Sequence, residues 1–122
     1  DYELFDVNNA YDSITGGTGN DVMYVGCGLD TLGDVESGSQ TNYVTGWAGE
    51  DVIYGDAGND YLVGGPDNDT IYGRGGKDQL NGNEGNDYLD GGSPTLAHPD
   101  INGDTCNGGD GVNIYADCEN AT

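Results

Sequence analysis

An aspartate recurs every ninth residue through much of this chain, and two residues after each one stands a single apolar side chain. Between Gly46 and Asp90 the aspartates are Asp51, Asp60, Asp69, Asp78 and Asp87, followed by Ile53, Leu62, Ile71, Leu80 and Leu89. A glycine-rich segment precedes each aspartate. Carboxylates held amid glycine turns suit a hard cation. Calcium takes roughly 6–8 oxygen ligands from carboxylates and carbonyls, and glycine turns expose carbonyls. Magnesium keeps its waters and demands a strict octahedron, so it substitutes poorly. Zinc wants imidazole or thiolate, and one histidine and three cysteines are too few.

The elements that position these groups follow from the same period. With the aspartate sixth and the apolar residue eighth, units fill 46–54, 55–63, 64–72, 73–81 and 82–90. Backwards, 37–45 fits with Asn42 sixth; the insertion 34–36 interrupts; then 25–33 (Asp30), 16–24 (Asp21) and 7–15 (Asp12) follow without a gap. Forwards, a unit opens at Gly91, swells through a loop insertion at about 93–101 and closes with Asp104 and Cys106; the last unit is 108–116, with Asn113 sixth. Residues 1–6 and 117–122 remain as short N- and C-terminal caps.

Glycines at positions one, two and four, often with asparagine at five, make a tight turn. Positions seven to nine read x-apolar-x, a short strand with one side chain inward and two outward. Turn plus strand is half a coil. The expected fold is therefore all-β: a right-handed parallel β-roll, or β-solenoid, with two nonapeptide half-coils per turn and, from eleven units, about five and a half coils.

Stacking should align alternate units, with Asp12, Asp30, Asp51, Asp69 and Asp87 on one edge and Asp21, Asn42, Asp60, Asp78 and Asp104 on the other. Carboxylates about 5 Å apart repel by up to ~3 kcal/mol per pair at an effective dielectric of 20. One inward side chain per half-coil is a thin core to set against that repulsion. A divalent cation bridging successive turns neutralises the ladders, and since its site exists only when coils stack, binding and folding become one event.

The units "GGTGNDVMY" (16–24), "GDAGNDYLV" (55–63) and "GNEGNDYLD" (82–90) resemble the RTX, or haemolysin-type, calcium-binding nonapeptide G-G-x-G-x-D-x-U-x. The tail "GDTCNGGDGVNIYADCEN" resembles the C-terminal ends of secreted bacterial members of that group. The resemblance implies a parallel β-roll, calcium between stacked turns and secretion to the extracellular space. It also implies ligands: the sixth-position side chains just named, with backbone carbonyls from turn glycines such as Gly17, Gly19, Gly49, Gly58, Gly76 and Gly85. Asn42 and Asn113 replace aspartate and weaken their sites. About six calcium ions are expected.

A formal charge of −21, with only Arg74 and Lys77 basic, disfavours nucleic acid and anionic membranes as partners. No apolar run is long enough to span a bilayer. No catalytic constellation is legible: His98 is the only histidine, and no nucleophile stands at motif spacing with it. Cys106 and Cys118 are expected to form a disulfide fastening the last unit, which leaves Cys27 as a small buried side chain or a surface thiol. Asn68 and Asn120 stand in glycosylation acceptor patterns; a proposed calcium turn already contains Asn68, so Asn120 is the better candidate. Outward tyrosines are either ladder-forming strand residues or a sticky face.

Two functions remain. One is a secreted structural calcium-binding protein that self-associates end to end, or through its tyrosine-rich faces, into a filament or matrix. The other is the C-terminal calcium-binding and secretion module of a larger secreted enzyme, toxin or adhesin.

Overall fold

Each x-apolar-x triplet lies between two glycine-rich segments, and such triplets extend into strands because neighbouring coils offer a backbone to pair with. The structure is a computed structural model, and it describes residues 3–5, 13–24, 41–92 and 103–122. Its first sheet holds six short strands: β1 (Glu3–Phe5), β3 (Val22–Tyr24), β5 (Val52–Tyr54), β7 (Thr70–Tyr72), β9 (Tyr88–Asp90) and β11 (Ile114–Ala116), paired in that order. The second sheet holds β2 (Ser13–Thr18), β4 (Tyr43–Ala48), β6 (Tyr61–Pro66), β8 (Gln79–Glu84), β10 (Thr105–Asp110) and β12 (Asn120–Ala121), also paired in sequence order. Odd strands stack on odd and even on even, all in parallel, as in Ile53↔Ile71 and Leu62↔Leu80. The described residues contain no helix. This is a parallel β-roll.

The sheets differ in strand length. Those of the second sheet run on through the first turn positions, where neighbouring turns pair as well: Gly17 with Trp47, and Gly65 with Asn83. Those of the first sheet stop after the triplet.

One side chain per triplet faces inward. Met23, Val44, Ile53, Leu62, Ile71, Leu80, Leu89 and Cys106 are fully buried between the sheets, all at eighth positions. Ile14, Tyr115 and Cys118 pack against them. Outward tyrosines stack on one another: Tyr24, Tyr54 and Tyr72 along the first sheet, with centroids 4.7 and 5.0 Å apart, and Tyr43 on Tyr61 along the second, at 5.2 Å.

The stacking order departs from the expected one near the N-terminus. Asp21 does not align with Asn42. It aligns with Asp51, thirty residues on rather than eighteen, because β3 pairs directly with β5 and β2 with β4. Among the described residues no strand lies between those pairs. Every described first-position residue from Gly16 to Gly108 is glycine, and a Cβ on Gly16 or Gly46 would meet the carbonyl of the turn stacked on it, so 16–24 fits closely against 46–54. The insertion 34–36, the loop 93–101, Asp12, Asp30, Cys27 and His98 lie outside the described residues.

Both terminal segments contain strands. β1, within residues 1–6, pairs with β3, and β12, within 117–122, pairs with β10. Cys106 and Cys118 are joined by a disulfide that ties β10 to the final segment.

Candidate metal centre

The sixth-position side chains form two buried ladders, one along each edge of the roll. Each backbone N–H donates to a side-chain oxygen of the next rung. On the first edge the Asp21 N–H donates to Asp51 Oδ1 at 2.8 Å, Asp51 to Asp69 at 2.9 Å, Asp69 to Asp87 at 2.9 Å and Asp87 to Asn113 at 2.9 Å. On the second edge Asn42 donates to Asp60 at 3.0 Å, Asp60 to Asp78 at 2.8 Å, Asp78 to Asp104 at 2.7 Å and Asp104 to Glu119 at 2.9 Å. Asp21, Asn42, Asp51, Asp60, Asp69, Asp78, Asp87 and Asp104 are all buried.

The turn glycines set the remaining geometry. A Cβ on Gly16 would lie 2.8 Å from both Asp21 Oδ2 and the carbonyl oxygen of Gly46, and one on Gly55 would lie 2.5 Å from the Gly73 carbonyl oxygen and 2.8 Å from Asp60 Oδ2. At Gly16, Gly46, Gly55 and Gly73 the same spot thus meets both an Oδ2 and a carbonyl oxygen of the next turn. Gly17, Gly19, Gly49, Gly76 and Gly85 have left-handed φ values between 105° and 132°. The carbonyls of Gly19, Gly58 and Gly85 press against Gly49, Gly76 and Gly111 of the following coils.

Fifth-position asparagines make a third kind of rung. The amides of Glu50, Lys77, Asn86 and Val112 donate to the side-chain oxygens of Asn20, Asn59, Asn68 and Asn86. The Asn68 amide nitrogen also donates to Glu50 at 3.2 Å, so the ladder uses the group a glycan would need.

The decisive feature is what remains unbonded. The Oδ2 atoms of Asp51, Asp69, Asp78 and Asp87 are buried without a hydrogen-bond partner. A buried anionic oxygen without a donor is costly unless a cation or proton meets it. Burial accordingly pushes the Asp78 carboxyl up to about 9 and Asp69 up to about 7, with neighbouring aspartates adding to both. Burial also raises Asp51 and Asp87, against the pull of their backbone donors. In a metal-free fold the Asp78 carboxyl favours its proton at neutral pH; a hard cation would replace it. Among the described residues no three acidic, histidine or cysteine side chains converge to hold a metal alone, so backbone carbonyls must complete any site.

The family of RTX calcium-binding nonapeptide repeats matches residues 6–32, 35–62 and 63–93, well over half of the chain. The chain belongs to that family. Comparison with curated proteins and with solved structures found no match. RTX nonapeptides are calcium-binding repeats rather than catalytic ones, and the donor set fits that ion: carboxylate Oδ2 atoms and carbonyls, all oxygen.

Reasoning from the repeat missed several participants. Glu119 takes the place of a sixth-position aspartate although it stands outside the nonad register. First-position glycines contribute carbonyls beside Oδ2, and Trp47, Arg74 and Asn83 present carbonyls to Gly65, Gly92 and Gly109. A search for glycine alone overlooks these three, which hold left-handed φ near 80° despite their side chains.

Proposed function

We propose that this chain is a secreted structural β-roll that folds on binding several calcium ions between its stacked turns. The row of buried Oδ2 atoms lacking donors supports this reading most directly. The candidate ligands are the sixth-position carboxylates Asp21, Asp51, Asp69, Asp78, Asp87 and Asp104, with Asn42 a weaker member, Asp12 and Asp30 from the sequence pattern, and the turn carbonyls; both oxygens of Asp60 are already engaged by the protein's own donors. About six ions would meet the ladders. Circular dichroism tests the reading: a coil-like spectrum in chelator should give way to strand signal on adding calcium. A chain already fully β in chelator at neutral pH would refute the coupling.

Self-association is the finer part of the proposal. The stacked tyrosines spend their ring faces on each other, which leaves the ends of the roll as the adhesive surface. At the C-terminal end β12 and Glu119 cover the second sheet. Beside them β11 and its turn expose Ile114 at 61% and Val112 at 77%, so end-to-end addition would run along the first sheet. Electron microscopy of the purified chain in millimolar calcium should show filaments; isolated particles would favour a calcium-binding module serving a larger protein.

A further inference from the structure

We propose that calcium loads the two edges unequally: the gap between turns 55–60 and 73–78 is closed by the protein's own donors and takes no ion, while the first-edge gaps at Asp51, Asp69 and Asp87 do. The inference rests on the calcium-dependent β-roll proposed above and narrows its ligand set.

Asp60 differs from the other ladder aspartates. Its Oδ1 accepts from both the backbone N–H of Asn42, at 3.0 Å, and the Asn42 side-chain amide, at 2.9 Å. Its Oδ2 accepts from the backbone N–H of Asp56 at 3.0 Å. Three donors thus engage both oxygens of one carboxylate, although burial and the neighbouring Asp56 carboxylate push it up to about 6. Asp51, Asp69 and Asp87 each receive one backbone donor on Oδ1 and none on Oδ2. A cation entering beside Asp60 would have to displace an N–H; beside the other three it would meet a bare oxygen.

Asp56 causes the difference. In the other described turns the second-position residues Gly17, Trp47, Gly65, Arg74, Asn83, Gly92 and Gly109 are left-handed. Asp56 and the fourth-position Gly58 are not among the positive-φ residues. Instead the Asp56 side chain folds inward, 6% exposed, and accepts the Gly58 N–H at 2.6 Å. That Asx turn spares a Cβ-bearing residue the left-handed conformation, and it turns the Asp56 N–H onto Asp60. The Asp56 carbonyl in turn accepts from Gly75 N–H of the next coil at 3.0 Å, sealing the gap. Both basic residues of the chain, Arg74 and Lys77, belong to that same covering turn. The Arg74 guanidinium reaches back over the Tyr54 ring, 5.2 Å from its centroid. Side-chain cations are thus placed on the turn that covers the closed gap.

The test counts bound calcium by native mass spectrometry, with strand content followed by circular dichroism, in the wild type, Asp60→Asn, Asp69→Asn and Asp56→Gly. Asp69→Asn should lose at least one ion. Asp60→Asn should keep the wild-type count and a loading midpoint within about twofold. Asp56→Gly should gain one ion, because glycine adopts the left-handed second position and withdraws the N–H from Asp60 Oδ2. Loss of an ion in Asp60→Asn, or an unchanged count in Asp56→Gly, would overturn the assignment. If Asp69→Asn fails to fold, the other two variants still decide it. A wild type that takes up no calcium would instead remove the underlying calcium reading.

Discussion

The two edges of the roll are built from one nonapeptide and have become chemically different. The first follows the long strands of the second sheet and is nearly uniform: its turns begin at Gly16, Gly46, Gly64, Gly82 and Gly108, and the Oδ2 atoms of Asp51, Asp69 and Asp87 lie buried without a donor, as does that of Asp78 on the second edge. The second edge collects the exceptions: Asn42 in place of aspartate, the inward Asp56, both basic residues, the long loop before Asp104, the disulfide and Glu119. A coil needs only one edge to be cation-dependent for folding to be cation-dependent. The other is then free to carry insertions, caps and internal counter-charges. The functional period of this protein is thus eighteen residues, with the nine-residue pattern visible in the sequence as its half.

The largest effect that would break this comparison comes from removing calcium. At neutral pH a chelator should unfold the roll cooperatively. With calcium limiting, hydrogen exchange should leave the Asp60-bonded amides of Asn42 and Asp56 protected longer than those of Asp21, Asp51 and Asp69, whose acceptors lie on the first edge. Equal loss on both edges would show that the second has no stability of its own.

Next in size is a Cβ at the first turn position. Gly46→Val would drive a side chain into the Asp51 carboxylate and the Gly64 carbonyl. It should cost at least ~4 kcal/mol, seen as loss of the calcium-induced strand signal. Gly17→Ala on the same edge meets no atom within 4 Å and suffers only from its φ of 110°. It should cost about 1 kcal/mol in calcium-saturated urea melts.

Acid should substitute for metal. The folded-state carboxyls of Asp69 and Asp78 lie near 7 and 9, above their ordinary value of 3.8. A raised carboxyl stabilises the metal-free fold fully below the ordinary value, and that stability disappears as pH rises through the folded value. Metal-free protein should therefore gain strand signal as pH falls from about 9 towards 4. At a pH low enough for the metal-free chain to be folded, calcium binding should release protons, measured calorimetrically in buffers of different ionisation enthalpy. No proton release would mean that the ladders are already ionised in the metal-free chain.

Much of this was legible beforehand, for identifiable reasons. Eighth-position burial follows from a two-residue alternation within a three-residue strand, and Met23 through Cys106 obey it. The carboxylate rows follow from the period alone. The partner of Asp21 was not legible, because the nine-residue period alone does not say which unit follows it in the stack; the pairing of β3 with β5 and β2 with β4 does. Asp56 was obscured differently: its turn "GDAGND" looks regular, and only the backbone shows that its second residue turned inward.

Two smaller effects concern the end of the second edge. Reducing the disulfide, or replacing Cys106 and Cys118 with serine, should cost about 2–3 kcal/mol for a loop closed by residues twelve apart, read as a lower urea midpoint in calcium. The smallest effect should come from Glu119. Its carboxylate accepts the Asp104 N–H at 2.9 Å, the bond that the next aspartate would make if the ladder continued. Unlike those aspartates, Glu119 is exposed, so water can take over the donor. Glu119→Ala should therefore cost only about 1 kcal/mol and leave the Asp51, Asp69 and Asp87 sites unaltered in calcium titration. A loss as large as that of the disulfide would mean that the last rung governs the whole ladder, and the two edges would then be coupled through the C-terminal segment rather than independent.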